Sequence, residues 1–150
     1  MRTNILLFLL GCMFVSCQSK TVTDFDKYED LSIDDKKEVD QYLEEAKKSI
    51  SKRDDEIILL FQYNCFFNET LTINNKFVES FPKQENTIHY GQKQIYFPKN
   101  IGDIKIIQSD GKKIVIPQKT GYDYITICYY KKEDKFFIHY YNFPKFLIVE

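Results

Sequence analysis

Apolar and polar positions divide the 150-residue chain into three parts. A continuous apolar run covers residues 5–15, behind the single charge of Arg2. Residues 18–31 are polar and charged without a helical or strand period, which predicts a flexible tether. Residues 32–150 show the short periodic patterns of globular secondary structure, and they predict a single domain.

The first pattern of that domain is helical. Ser32 is a suitable N-cap, and Asp34 and Asp35 suit the positive end of the helix dipole. Apolar side chains then recur at intervals of three and four residues, at Val39, Tyr42, Leu43, Ala46 and Ile50. The pattern predicts a helix over residues 33–52 with a narrow apolar stripe for packing.

From Glu56 the pattern is typical of strands. Short apolar segments flank three predicted tight turns, at Asn74-Asn75, Asp110-Gly111 and Glu133-Asp134. Further strands are predicted over residues 57–64, 94–97 and 146–149. The fold class is therefore α+β: one N-terminal amphipathic helix packed on a mainly antiparallel β-sheet or small β-sandwich of about seven strands.

Composition and charge narrow the class of partner. Removal of residues 1–16 would leave 134 residues, enough for one domain with a real core. Lys plus Arg then falls from 21 to 20 against 22 Asp plus Glu, so the net charge is near −2. A nucleic-acid-binding domain would show a basic surface, and we therefore expect no nucleic-acid partner.

The apolar run at the N terminus has the length of a signal-peptide core, about a dozen residues, whereas a spanning helix needs about 20. It ends in Phe14-Val15-Ser16-Cys17, which resembles the lipobox of bacterial lipoproteins, with Phe14 in place of the usual Leu. The resemblance implies a signal peptide over residues 1–16, cleavage after Ser16 and lipidation of Cys17. Residues 17–31 would then be the lipidated cysteine and its tether. The resemblance covers only the first 17 residues and implies no activity for the domain at 32–150.

Two alternatives stay open at this end of the chain. Leu9-Leu10-Gly11-Cys12 has a better local motif, but it leaves only residues 5–10 as the apolar core. Ordinary secretion with cleavage near Cys17 is the second alternative. Gln18 follows Cys17 in place of the Asp linked to inner-membrane retention in some lipoproteins, which favours the outer membrane.

Candidate chemistry in the domain is sparse. Cys65 and Cys128 could pair in an oxidising envelope, or each could remain a free cysteine in a strand-like segment. Around the two histidines, His89 and His139, the sequence has no metal-ligand spacing, phosphate loop or nucleophile motif. We therefore predict no catalytic residue, no cofactor and no metal site.

The last predicted hairpin is rich in aromatic residues. A turn at Glu133-Asp134 would place Cys128 opposite His139. One face of the hairpin is then mostly aliphatic and is predicted to be core: Ile125, Ile127, Tyr129, Phe136, Ile138 and Tyr140. The other face presents rings with polar tips and is the candidate binding face: Tyr124, Tyr130, Phe137, His139 and Tyr141. The alternative is that the helix or a second sheet covers this face.

These features predict a noncatalytic, membrane-anchored envelope lipoprotein whose domain binds another protein. An immunity protein against an exported toxin and an accessory subunit of an envelope complex are two versions of this hypothesis. The alternative from another class is an envelope-polymer hydrolase whose site is assembled in space. An arrangement of His139 near Cys128 and an acid would favour that enzyme.

Overall fold

The computed structural model of the chain describes residues 19–83 and 91–145. Within these residues the fold is mixed α+β and dominated by strands, with one α-helix and nine strands in place of the seven or so predicted. The strand-dominated α+β class is therefore confirmed. Two short 3-10 turns cover Tyr28–Asp30 and Tyr63–Cys65. In chain order the elements are β1 (Lys20–Asp26), α1 (Ile33–Ser49), β2 (Glu56–Gln62), β3 (Thr70–Ile73), β4 (Phe77–Ser80), β5 (Gln92–Pro98), β6 (Ile104–Gln108), β7 (Lys113–Ile116), β8 (Tyr124–Tyr130) and β9 (Lys135–Tyr141).

The strands form two sheets. The larger has the order β1-β9-β8-β2-β5, and the smaller has the order β4-β3-β6-β7. Five of the seven pairings in the described residues are antiparallel, whereas β1 with β9 and β2 with β8 are parallel. The larger sheet is therefore mixed, because strands distant in sequence lie side by side in it without a hairpin between them.

The main core lies between the two sheets. It combines Leu59 and Phe61 of β2 with Leu71 of β3 and Ile104 of β6, all fully buried. The aliphatic face predicted for the last hairpin belongs to this core at every position: Ile125, Ile127, Tyr129, Phe136, Ile138 and Tyr140. That prediction is confirmed, and it defines the other side of the larger sheet as the outer face.

A second buried cluster lies on the outer face. Val39 of α1 and Ile50, just beyond the helix, share it with Ile58, Leu60, Tyr124, Tyr141 and Phe143. The Ser32 hydroxyl accepts a hydrogen bond from the Asp35 N–H at 3.1 Å, as expected of an N-cap. The helix ends at Ser49, three residues earlier than predicted, because the backbone of Ile50 leaves the helical region (φ −113°, ψ 54°).

Two of the three predicted turns lie where the sequence indicates. Asn74 and Asn75 both have positive φ (51° and 56°), and Gly111 has φ 86°, as tight hairpin turns require. The third turn differs: four residues, 131–134, connect β8 to β9, and Tyr130 pairs with Lys135. The register is thus shifted by two residues, so Cys128 lies opposite Phe137 and not opposite His139. A shift of two leaves every side chain on its predicted face.

The predicted tether over residues 18–31 is wrong in its central part. Residues 20–26 form β1, an edge strand parallel to β9. The Phe25 ring stacks on Tyr140 with centroids 4.9 Å apart and meets Tyr122 edge-on at 5.4 Å. Three of the seven residues in this segment are charged, and its partner strand is more than 100 residues away, so the local pattern did not identify it. The folded domain therefore includes this segment rather than beginning at residue 32.

Several predictions lie outside the described residues. They concern the signal peptide over residues 1–16, lipidation of Cys17 and the strand at 146–149, and His89 also lies outside these residues. Within the described ranges, no helix has both the length and the apolar character needed to cross a membrane.

Candidate functional site

The structure divides the candidate binding face into a buried part and an open part. Tyr124 and Tyr141 are only 9% and 4% exposed, and both belong to the second buried cluster. They are core residues, which corrects their assignment as contact residues. Tyr130 is 49% exposed, and Phe137 and His139 are half-buried. These three residues form what we call the open aromatic patch.

Tyr130 stands between two depressions of the surface. Its ring meets Phe137 edge-on, with centroids 4.8 Å apart. A depression of about 150 Å³ on one side is lined by residues that include Asp24, Gln62 and His139. A larger one, of about 490 Å³, lies towards the loop after β8, and Tyr130 and Cys128 line both. The smaller volume is below the roughly 300–1,000 Å³ of typical small-molecule sites, so it suits a side chain rather than a cofactor.

His139 is held by contacts on two sides. Its ring stacks on Tyr141, with centroids 4.2 Å apart and planes 17° from parallel. Its Nε2 lies 2.9 Å from Asp26 Oδ2, but the N–H direction does not give an aligned hydrogen bond. Burial lowers the pKa of His139 below its ordinary 6.5, and this effect exceeds the opposing effect of the Asp26 carboxylate.

We expect the domain to lose stability as the pH falls from about 7 to about 5. Because the pKa of His139 is lower in the folded chain, the unfolded chain takes up the proton first. This contribution to stability is fully present above pH 6.5 and is lost as the pH falls towards the folded pKa. Urea unfolding across this range should show a flatter pH dependence for His139→Gln than for the wild type. Equal slopes for the two proteins would contradict the assignment to His139.

A disulfide joins the two cysteines of the domain. Cys65, in the 3-10 turn Tyr63–Cys65, is bonded to Cys128 of β8, with the two Cα atoms 5.2 Å apart. The bond holds that turn against the outer face, beside the open aromatic patch. In this state Cys128 carries no thiol, and the residue opposite it is Phe137 rather than His139.

Polar residues that line the two depressions beside Tyr130 come from parts of the chain that sequence reasoning did not select. Glu69 is only 8% exposed and accepts a hydrogen bond from the Ser109 hydroxyl at 2.6 Å. It also forms an ion pair with Lys131 at 2.9 Å. Asp24, Gln62 and Glu69 had no local signal. Asp24 and Gln62 come together only through the pairing of β1 with β9, of β9 with β8 and of β8 with β2, and Glu69 lies there through its ion pair with Lys131.

Among the described residues, no three His, Cys, Asp or Glu side chains are grouped so that they could hold a metal ion. The chain matches no family model, and no curated protein or solved structure matches it significantly.

Proposed function

We propose that this protein is a noncatalytic binding protein of the bacterial envelope, attached to the membrane through lipidated Cys17. The observation that carries the binding role is Tyr130, a half-exposed ring between two depressions. Aromatic residues of this kind are enriched where proteins bind proteins, since they are large and stiff and have one polar end. The proposed partner is therefore a protein.

Packing of α1 on the outer face is part of the proposal. The cluster that contains Val39, Tyr124 and Tyr141 supports it. A helix in that place would cover one end of the face and leave the open aromatic patch at the other. The recognition surface would then be confined to Tyr130, Phe137 and His139 and the residues around them.

An immunity protein and an accessory subunit of an envelope complex remain two versions of this function. In both, a small rigid surface is held at the membrane to meet one protein. An arrangement of His139 near Cys128 and an acid would favour the hydrolase alternative. His139 does lie beside Asp26, but the Cys128 sulfur is bonded to Cys65 and Phe137 lies opposite Cys128. Cys128 thus offers no thiol nucleophile, and the alternative is not proposed further.

Replacement of Tyr130 by serine should weaken partner binding about 30-fold or more, the loss typical of a hot-spot residue at about 2 kcal/mol. The free energy of unfolding should fall by about 1 kcal/mol or less, because the ring is half exposed. Tagged full-length protein in detergent should recover the partner from envelope extract, and the purified pair should then be titrated by calorimetry. Because detergent replaces the membrane, binding measured in it reports recognition of the protein partner and not contact with lipid.

The matched control is Tyr96→Ser. Tyr96 is 39% exposed, and it lies on the same face but at the far end of β5, so its loss should leave partner binding unchanged. Tyr141→Ser should instead lower stability by about 3 kcal/mol, because that ring is buried. Equal recovery with Tyr130→Ser and Tyr96→Ser would refute the recognition surface.

A further inference from the structure

The fold begins close to the proposed lipid. Ser19 is only 6% exposed, and β1 begins at Lys20. Only three residue steps separate Lys20 from Cys17, and an extended chain covers about 3.5 Å per residue, so the reach is about 10 Å. This step rests on the proposed lipidation of Cys17. If it holds, the larger sheet is attached to the membrane almost without slack.

The strand register shows which end of the sheet is attached. Lys20 pairs with Lys135, and Lys135 pairs with Tyr130. The start of β1, the end of β8 and the loop over residues 131–134 therefore lie together. We call this the proximal end of the sheet. The other ends of these strands, at Asp26 and Tyr124, lie about 20 Å away, at about 3.3 Å per residue.

Exposed lysines at the proximal end favour contact with an anionic surface. Lys20, Lys131 and Lys132 are exposed, and Lys131 is already paired with Glu69. Within the described part of the chain, Lys20 and Lys132 have no carboxylate partner. The loop also holds two carboxylates: Glu133 pairs with Lys135 at 3.1 Å, and Asp134 accepts a hydrogen bond from the Tyr129 hydroxyl at 2.8 Å and keeps its charge.

The loops at the distal end carry exposed charges of both signs and no excess of cations. Four exposed acidic residues there, Glu29, Asp30, Asp54 and Asp55, accompany the exposed cations Lys27 and Arg53. An anionic leaflet attracts a lysine side chain close to its surface. This attraction is small beside a lipid anchor, but it is sufficient to bias the orientation of a domain that the anchor already holds at the membrane.

An exposed aromatic ring at the proximal end also suits contact with a membrane surface. Tyr130 is the last residue of β8, and its exposed ring lies beside the lysines of the loop. Tyrosine is enriched at the level of lipid headgroups, because its ring is apolar and its hydroxyl is polar. The proximal end thus combines exposed cations with an exposed amphipathic ring.

We propose that the proximal end, comprising Lys20, Tyr130, Lys131 and Lys132, rests on the surface of an anionic phospholipid bilayer. The strands of the larger sheet then point away from the membrane, and α1 lies at the distal end. Within the open aromatic patch, Tyr130 then lies at the level of the headgroups, and Phe137 and His139 face the space just above them. A protein that binds this patch accordingly meets it at the membrane surface.

The chain contains no tryptophan, so a single tryptophan reports its own position. Tyr130→Trp and Tyr96→Trp place it at the proximal and distal ends of the same face, at sites 49% and 39% exposed. Each full-length lipoprotein is reconstituted into vesicles of phosphatidylethanolamine and phosphatidylglycerol that carry a headgroup spin label. Tyr130→Trp should lose most of its emission, whereas Tyr96→Trp should keep nearly all of it.

Reversal of the lysine charges tests whether electrostatic attraction contributes to the proposed orientation. Adding Lys20→Glu and Lys132→Glu to Tyr130→Trp should restore much of the emission. The matched pair Lys37→Glu and Lys48→Glu makes the same charge change on exposed positions of α1 and should restore none. Should Tyr130→Trp fail to fold, the exposed loop positions serve instead, with Lys132→Trp as the proximal reporter and Asp54→Trp as the distal one.

The outcomes separate this proposal from the proposed function. Equal quenching at the two positions, in protein that fractionates with membranes, would overturn the orientation and leave the anchor intact. If Tyr130→Trp is quenched only after a partner protein is added, the proposed orientation is also overturned, and the ring contacts protein instead of lipid. If the wild type does not carry lipid on Cys17, the anchor fails and the orientation fails with it.

Discussion

Loss of the Cys65–Cys128 disulfide is expected to lower the free energy of unfolding by about 4 kcal/mol. The bond closes a loop of 63 residues, and removing that constraint restores the entropy of the unfolded chain. For a domain of this size the melting temperature should fall by roughly 10–20 °C. Comparison of the wild type with Cys65→Ala/Cys128→Ala by calorimetry measures the effect. Alanine avoids the cost of burying a hydroxyl where Cys128 is 5% exposed.

A reducing agent supplies the control for this prediction. It should lower the melting temperature of the wild type to that of the double variant and leave the double variant unchanged. A wild type whose melting temperature is the same with and without reductant would show that the bond contributes little. Because Cys128 lies next to Tyr130 on the outer face, the reduced protein should also show whether the open aromatic patch depends on this constraint.

Replacement of Cys17 by serine is expected to remove the protein from the membrane fraction. Two or more acyl chains hold a protein firmly, at about 0.8 kcal/mol per buried CH₂, whereas one chain binds marginally. Fractionation of cells that express the full-length chain measures the change. Mass spectrometry of the N-terminal peptide should find lipid on Cys17 in the wild type and none in Cys17→Ser.

The matched control for the anchor is Cys12→Ser. That cysteine belongs to the alternative motif, and in the proposed processing it is discarded with the signal peptide, so its replacement should leave the protein membrane-bound and acylated. Release by Cys12→Ser rather than by Cys17→Ser would move the lipidation site to Cys12. Retention of Cys17→Ser in the membrane together with an unmodified wild type would end the lipoprotein interpretation.

Local signals were sufficient where the structure depends on residues close in sequence. Ser32 caps the helix because its hydroxyl reaches a backbone N–H three residues ahead. Asn74, Asn75 and Gly111 form turns because they accept positive φ. Side-chain alternation likewise assigned the core face of the last hairpin, even though the turn length was wrong, because the period of a strand is two residues.

The candidate site depended on information that the local pattern lacks. Tyr124 and Tyr130 belong to the same strand and the same face, yet one is buried and the other is half exposed. Tyr124 belongs to the second buried cluster, and Tyr130 does not. Asp24 reaches the site because β1 pairs with β9 across more than 100 residues, and that contact leaves no trace in the local pattern of β1.

Neighbouring residues and the periods of helix and strand were sufficient to predict the strand-dominated α+β class, the helix start, two tight turns and the apolar face of the last hairpin. The edge strand at residues 20–26, the mixed larger sheet and the Cys65–Cys128 bond became known only from the three-dimensional structure. The same is true of which rings on the outer face are exposed. Burial and long-range pairing depend on which segments meet in space, and the free energy of those contacts is not contained in any one segment.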